Sequence, residues 1–414
     1  MASVSLEEVA PSLRGMVWEC ASLIRVGFIL HQLTISWMGG VQYFSNLLNA
    51  LYAQTDRRIE VVVFVGERTD RRILSGFPAV DVITSSMFDD IGPLFLLRRV
   101  LRRVFHRDRM LEWLLRMHGI QVLSHAGHLG RHSAIPTLGW VGDLQHLHHP
   151  EFFSETEIKI RDNSLVGLCR YASRVLASSE YELRVLEERD PICAKNARVL
   201  RFVAPSPVVV PAAEDAGGAD VGEKYFYLPN QFWAHKNHRV VIEALRLLKA
   251  SDRSVRVLAT GHTADYRHPG FFDSVTSSIR EAGVGELFAV LGVVPRAEVG
   301  RLMRDAVAVI NPSLYEGWST TVEESKSMGK QTILSDIPVH REQAPPDGFY
   351  FDPHKPSELA ELLWRVWSEF DRGRDQLRMQ RARAEWPRRE AEFARRYEAL
   401  IMELRDESRR ASRS

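Results

Sequence analysis

The chain has 414 residues, 45% of them hydrophobic, more than one ordinary core needs and well suited to two globular domains. Its 54 Lys and Arg nearly balance 53 Asp and Glu, so no overall field favours nucleic acid as a partner. Three cysteines, Cys20, Cys169 and Cys193, stand far apart with neither a disulfide framework nor metal-ligand spacing, which points to a reducing cytoplasm.

The start, Met1 to Arg14, carries Glu7 and Glu8 and no apolar core, so it does not read as a signal peptide. Leu23 to Leu33 is interrupted by Arg25 and His31 and is too short to span a bilayer. Ile24 to Leu30 reads as a buried parallel strand, Trp37-Met38-Gly39-Gly40 as a loop, and Val41 to Gln54 as a helix with apolar residues at helical spacing. Strands are expected at Ile59–Val65, Val80–Ser85 and Gly119–Leu123, with helices at Leu94–Met117 and, after Pro150, at Glu155–Tyr171. Short strands follow at Val175–Ala177 and Arg198–Phe202.

Val208 to Gly222 is small, polar and flexible, and reads as a linker. The alternation then restarts with strands at Tyr225–Leu228, Val255–Thr260, Phe288–Leu291, Val307–Ile310 and Gln331–Leu334. Helices are expected between them at Asn237–Ala250, Phe271–Ala282, Arg296–Arg304 and Thr321–Met328. From Ser357 the chain is helical and charged, and its end reads as a solvated helix packed along one stripe. The expected layout is α/β, two doubly wound Rossmann-like units over 1–207 and 223–385, a linker at 208–222 and a charged helix at 386–414.

The segment Asn311 to Ser325 follows a strand and opens a helix, with seven residues separating Glu316 from Glu324. Gly317, Trp318, Ser319, Thr320 and Thr321 would present backbone N–H groups at a helix N-terminus, where the dipole favours phosphate. Glu324 is placed to accept from a ribose diol and Glu316 to reach sugar hydroxyls. By spacing alone, a capped helix with two solvated acids fits equally well. Leu228 to His238 is a second strand-to-helix turn, in which Lys236 would neutralise a diphosphate, beside Gln231 and Asn237.

The stretch Glu316 to Glu324, with Met328 to Asp336 after it, resembles the E-x7-E signature of the retaining glycosyltransferases of family 4. The resemblance extends over roughly Arg25 to Ala360 and implies the GT-B fold, two Rossmann-like domains facing across a cleft. It implies that Glu324 holds the nucleotide ribose, that Glu316 contacts the transferred sugar, and that the anomeric configuration is retained. Many members carry an arginine five positions before the lysine, where this chain has Gln231. Gly39-Gly40 resembles the N-terminal glycine loop that approaches the donor phosphate, or is simply a turn. Gly139 to Phe153 resembles the acceptor-side loop, except that Gly142 stands where a histidine often precedes the aspartate. Asp143 or His146 would take the polar role there, unless these groups only cap and solvate a loop.

No Asp-x-Asp sequence is present, so a metal-independent enzyme without a cofactor is expected, the nucleotide-diphosphate sugar being its donor substrate. The expected acceptor is a glycan or lipid-linked molecule of bacterial surface polysaccharide or glycoconjugate synthesis. Arg98 to Arg109 fits either an anionic membrane surface, on the inner face, or arginines snorkelling over a core. A catalytically silent GT-B partner subunit and a nucleotide-sugar epimerase remain alternatives. A phosphorylase is disfavoured by the short chain and the lack of a pyridoxal-lysine context.

Overall fold

A computed structural model describes residues 23–30, 38–89, 91–131, 133–205, 224–265 and 267–411. The expected linker at 208–222 and the segment Met1 to Arg14 lie outside them. The first unit runs β1 (Ile24–Ile29), α1 (Met38–Tyr52), β2 (Ile59–Val65), β3 (Asp81–Thr84), α2 (Pro93–Phe105), α3 (Arg109–Met117) and β4 (Val122–Ser124). It continues through β5 (Thr137–Trp140), α4 (Gln145–His148), α5 (Glu155–Tyr171), β6 (Arg174–Ala177), α6 (Glu180–Arg189), α7 (Pro191–Asn196) and β7 (Ala197–Val199). Its strands pair in parallel in the order β3-β2-β1-β4-β5-β6-β7.

The second unit runs β8 (Phe226–Leu228), α8 (His238–Ala250), β9 (Val257–Thr260), α9 (Phe271–Glu281), β10 (Phe288–Gly292), α10 (Arg296–Asp305) and β11 (Val309–Asn311). Then come α11 (Thr320–Met328), β12 (Thr332–Ser335), α12 (Pro338–Gln343), β13 (Phe349–Phe351), α13 (Pro356–Ser368) and α14 (Arg372–Ala411). Its sheet is also parallel, in the order β10-β9-β8-β11-β12-β13. Continuous apolar strands such as IEVVVFV in β2 are buried on both faces, as helices on either side of a parallel sheet require. In each sheet the winding reverses beside one strand, between β1 and β4 and between β8 and β11. Ligand sites in such sheets form outside the carboxyl ends at these reversals.

Three sequence expectations change. The single helix over Leu94–Met117 is two, because His106 turns left-handed (φ 51°) and Asp108 caps α3 through Leu111 N. Helices α6, α7 and α12 are additional to the expected elements, and α14 begins at Arg372 rather than near 386. Cys169 and Cys193 form a disulfide, correcting the reading of unpaired thiols and removing that argument for a reducing compartment. The 24-residue separation conceals the pairing, because β6 returns the chain and lays α7 against α5.

The charged final helix does not lie free. Phe393, Ala394, Tyr397, Ile401 and Leu404, one helical stripe, enter the core of the first sheet beside Phe28, Leu47 and Val63. Tyr397 donates its hydroxyl to Ser124 Oγ at 2.8 Å, and Glu398 accepts from Arg58 N at 2.8 Å. The earlier turns of the same helix hold the second unit, where Asp375 pairs with the buried Lys330 at 2.7 Å and Arg389 with Glu323 at 2.6 Å. One helix therefore clamps both units.

A polar seam closes the other side. Glu182 of α6 is fully buried and accepts from Leu144 N at 3.1 Å and from the Tyr315 hydroxyl of the second unit at 3.0 Å. Glu342 of α12 accepts from Glu180 N at 2.9 Å and from Arg201 Nε at 2.7 Å. Burial, reinforced by the charge of Asp143, pushes the Glu182 carboxyl up to about 8.

Phe393→Ala should cost about 3–5 kcal/mol in urea unfolding, whereas Arg381→Ala, exposed on the same helix, should cost under about 0.5. Equal effects would dismiss the clamp. Glu182 binds its proton more tightly when folded than unfolded, so its contribution is complete in acid and fades as pH rises from about 4 to 8. The wild type should lose a few kcal/mol over that window, and Glu182→Gln should flatten the loss. Parallel pH curves for the two proteins would remove Glu182 as its source.

Candidate active site

The reversal between β8 and β11 brings together two segments eighty residues apart. Past β8 the chain runs through Asn230 and Gln231 into a short turn at 234–236, and Asn237 takes a left-handed conformation (φ 52°) to start α8. The turn holds Lys236 over the loop that follows β11. There its ammonium donates to Glu316 Oε1 at 2.6 Å, and Ser313 Oγ donates to the same oxygen at 2.6 Å. Burial alone would raise the Glu316 carboxyl, but the Lys236 charge and these hydrogen bonds outweigh it and hold the group below the usual carboxylate range.

Behind the pair, buried polar side chains lock the two loops. Asn230 Nδ2 donates to Asn311 Oδ1 at 3.0 Å, and Asn311 Nδ2 donates to Ser319 Oγ at 2.8 Å. Ser319 is the N-cap of α11, accepting from Val322 N, while its own N–H goes to Gln343 Oε1 at 3.2 Å. Thr320 and Thr321 open the helix, where geometry leaves their N–H groups without intrahelical acceptors. One turn on, Glu324 is buried and its carboxylate is held by the exposed Arg296 at the start of α10. The expected group of Lys236, Glu316, Thr320, Thr321 and Glu324 thus surrounds one set of strand ends.

Other expected residues serve differently. Trp318 is buried in the core of the first unit and donates its indole N–H to Phe202 O at 2.9 Å, so it joins the units and does not face a donor. A side chain on Gly317 would come within 2.6 Å of Gly142 O and 2.9 Å of Glu182 Oε1, so this glycine permits the two loops to touch. Asn237 donates its amide to Pro353 O at 3.0 Å. Gln231 keeps a buried side-chain oxygen with no hydrogen-bond partner among the described residues. Gly39 and Gly40 lie in the first turn of α1, Gly39 facing open space.

Asp143 and His146 border a different space from Glu316. Asp143 accepts from Gln145 N and from Arg161, both at 3.0 Å. His146 is buried with Nε2 at 3.4 Å from Asp162 Oδ1, and burial lowers its pKa. Both line a groove of about 790 Å³ in the first unit. A smaller cavity of about 180 Å³ between the units is lined by His148, His149 and Tyr181 from one side and by Tyr315, Glu316 and Pro338 from the other. His148 stacks on Tyr315 with ring centroids 5.3 Å apart. The imidazole of this loop that borders the same cavity as Glu316 is His148. In the one-turn helix α4, residues two apart face opposite ways, which separates His146 from His148.

Among the described residues, no group of three or more His, Cys, Asp or Glu side chains is arranged to hold a metal ion. Among the same residues, no helix is long and apolar enough to cross a membrane.

Residues 211–381 match the family model of the glycosyl transferases group 1. No curated protein matches the sequence. Among solved structures, Alr3699/HepE of Anabaena, in complex with UDP and glucose, has a TM-score of 0.65 at 16% identity, over 92% of this chain and 100% of that one. Sucrose-phosphate synthase from Thermosynechococcus elongatus has a TM-score of 0.63 at 15% identity, over 92% and 99%. The lipopolysaccharide outer core galactosyltransferase WaaB, in its apo form, has 0.58 at 17%, over 92% and 100%. These likenesses establish the fold as GT-B, and the family match covers the unit that carries Lys236, Glu316 and Glu324. Residues 211–381 thus form a domain of the glycosyl transferases group 1 type within a chain of GT-B fold.

Proposed function

We propose that the chain is a retaining, metal-independent transferase that moves a sugar from a nucleoside-diphosphate donor to a glycan or lipid-linked acceptor of surface glycoconjugate synthesis. The observation that carries this reading is the Lys236–Glu316 contact beside the N-terminus of α11. A diphosphate seated at the N–H groups of Thr320 and Thr321 competes with Glu316 for the Lys236 ammonium. Lys236 then neutralises the leaving group, and the released Glu316 carboxylate accepts hydrogen bonds from the sugar hydroxyls. Glu324 exchanges Arg296 for the ribose diol, and Gln231 offers its unpartnered oxygen nearby.

No side chain serves as covalent nucleophile in this scheme. The acceptor hydroxyl attacks the anomeric carbon on the face that the diphosphate leaves, the bond from that carbon to phosphate oxygen breaks, and the departing phosphate takes the hydroxyl proton. The UDP and glucose bound to Alr3699/HepE support UDP-glucose as the first donor to test, and WaaB, a lipopolysaccharide enzyme, supports a surface-glycan acceptor.

In a thermal-shift screen with UDP, GDP, ADP, dTDP, CMP and their sugars, one nucleotide should raise the melting temperature equally with and without EDTA. A shift abolished by EDTA would overturn metal independence, and no shift at all would favour the silent partner subunit. Glu324→Ala should weaken nucleotide affinity by about 10- to 100-fold through the lost charged hydrogen bonds, with the fold intact. Lys236→Ala should lower kcat by about 100-fold or more; an unchanged kcat would remove the lysine from leaving-group stabilisation.

A further inference from the structure

Glu316 has a second basic neighbour that the scheme above leaves idle. His340, in the first turn of α12, is fully buried and follows Pro338 and Val339, which line the small cavity that contains Glu316. Two serines join the ring to the carboxylate. Ser313 Oγ is bonded to Glu316 Oε1, Ser335 Oγ donates to Ser313 O, and Ser335 Oγ lies 3.2 Å from His340 Nδ1. The Ser335 carbonyl accepts from Nδ1 at 2.9 Å, which places the proton of the neutral ring there and leaves Nε2 a bare lone pair. That Nε2 is buried with no hydrogen-bond partner among the described residues. Buried polar atoms are nearly always paired, so a ring fixed by a carbonyl on one side and empty on the other keeps a place for a proton.

The charges around the ring fall into two groups. Those that neighbouring elements have already matched include Glu323 and Lys326 of α11, 3.2 Å apart, and Glu342 of α12 itself, 2.7 Å from Arg201. Tyr350 of β13 is bonded only to the His340 carbonyl, at 3.4 Å. The charges that reach the ring are Glu316 and Lys236. Burial holds the ring down at about 4, Glu316 pulls it up, and Lys236 presses it further down. With Lys236 in place the carboxylate has its cation and the ring stays neutral. Once a diphosphate takes the ammonium, the carboxylate is left buried without a cation, and the phosphate charge adds to the field. A proton on Glu316 would turn a charged acceptor into a weaker neutral one, whereas a proton on His340 leaves it ionised.

We propose that His340 is a positioning residue that takes up a proton at Nε2 when the donor draws Lys236 away, and so keeps Glu316 ionised for the sugar hydroxyls. The inference rests on the transferase reading above. The proton comes from water and is not consumed: it returns when the nucleoside diphosphate leaves and Lys236 pairs with Glu316 again.

The test is calorimetric titration of the full chain with UDP-glucose, whose diphosphate diester does not itself titrate near neutrality, in two buffers of different ionisation enthalpy. At about pH 6 binding should take up a large fraction of one proton, and at about pH 9 none. Because the donor strengthens the ring's hold on its proton, donor affinity should rise as pH falls, about tenfold from about pH 8 to about pH 6. His340→Asn, whose amide keeps a donor for Ser335 O, should abolish the uptake. It should match the parent near about pH 9 and bind about tenfold more weakly near about pH 6. Uptake that persists in this variant places the proton on Glu316 and overturns the proposal. Equal loss of affinity at both pH values marks a packing role and also overturns it. A second measurement needs no donor. In NMR spectra of isotope-labelled histidine, the His340 ring should bind its proton about tenfold more tightly in Lys236→Ala than in the parent. An unmoved ring overturns the proposal even where His340→Asn does not fold. Failure of UDP-glucose to bind the parent strikes the UDP-glucose donor reading, and the Lys236→Ala titration then decides for or against His340 by itself.

Discussion

Lys236 and Glu316 sit in a pocket where either charge alone is costly. A buried carboxylate without a partner is forced towards protonation, and a buried ammonium towards neutrality, so their 2.6 Å contact is what keeps this corner of the second unit ionic. The contact exists only because β8 and β11 are hydrogen-bonded neighbours, which places the loops after them side by side despite the length of chain between. The Asn230–Asn311–Ser319 relay then fixes both loops to the cap of α11. An internal ion pair held on rigid strand ends keeps both charged side chains in place before any ligand arrives.

The pair also depends on how the units close. Gly317 touches Gly142 O, Tyr315 reaches Glu182, and Trp318 enters the first core, all within three residues of Glu316. Movement of the first unit must therefore disturb the loop that carries the carboxylate. Helix α14 adds a second tether, since its early turns hold Lys330 and Glu323 while its later turns complete the core around Phe28. Opening the cleft would expose Phe393 and Tyr397, or else bend the helix, which contains Pro387.

Much of this was legible in the amino-acid order. Apolar runs such as Val61 to Val65 and helical spacing such as Phe44, Leu47 and Leu51 depend on local periodicity, and the elements formed close to where they were expected. The Lys236, Glu316 and Glu324 segments were legible because strand-to-helix turns constrain their residues locally. What was hidden lay in the third dimension. Spacing does not tell which side of a one-turn helix faces the cleft, so it does not separate His146, on the large groove, from His148, on the cavity with Glu316. Nor does it show that α7 lies against α5, which pairs Cys169 with Cys193. Trp318 reads as part of a ligand loop until Phe202 O is seen waiting for its N–H. The charge of α14 disguised a stripe that the first sheet buries.

The loop from Trp140 to His149 gives the molecule its direction. Its first half, with Gly142, Asp143, Leu144 and His146, borders the large arginine-lined groove under α2. Its second half, with His148 and His149, borders the small cavity that contains Glu316. One short segment thus forms the wall between a wide amphipathic compartment and the site of the ion pair. Because Leu144 N is bound to both Glu182 and the Tyr315 hydroxyl, that wall is anchored to each unit at once. A shift of this wall is therefore felt in both compartments, because the same few residues line the groove on one side and the Glu316 cavity on the other.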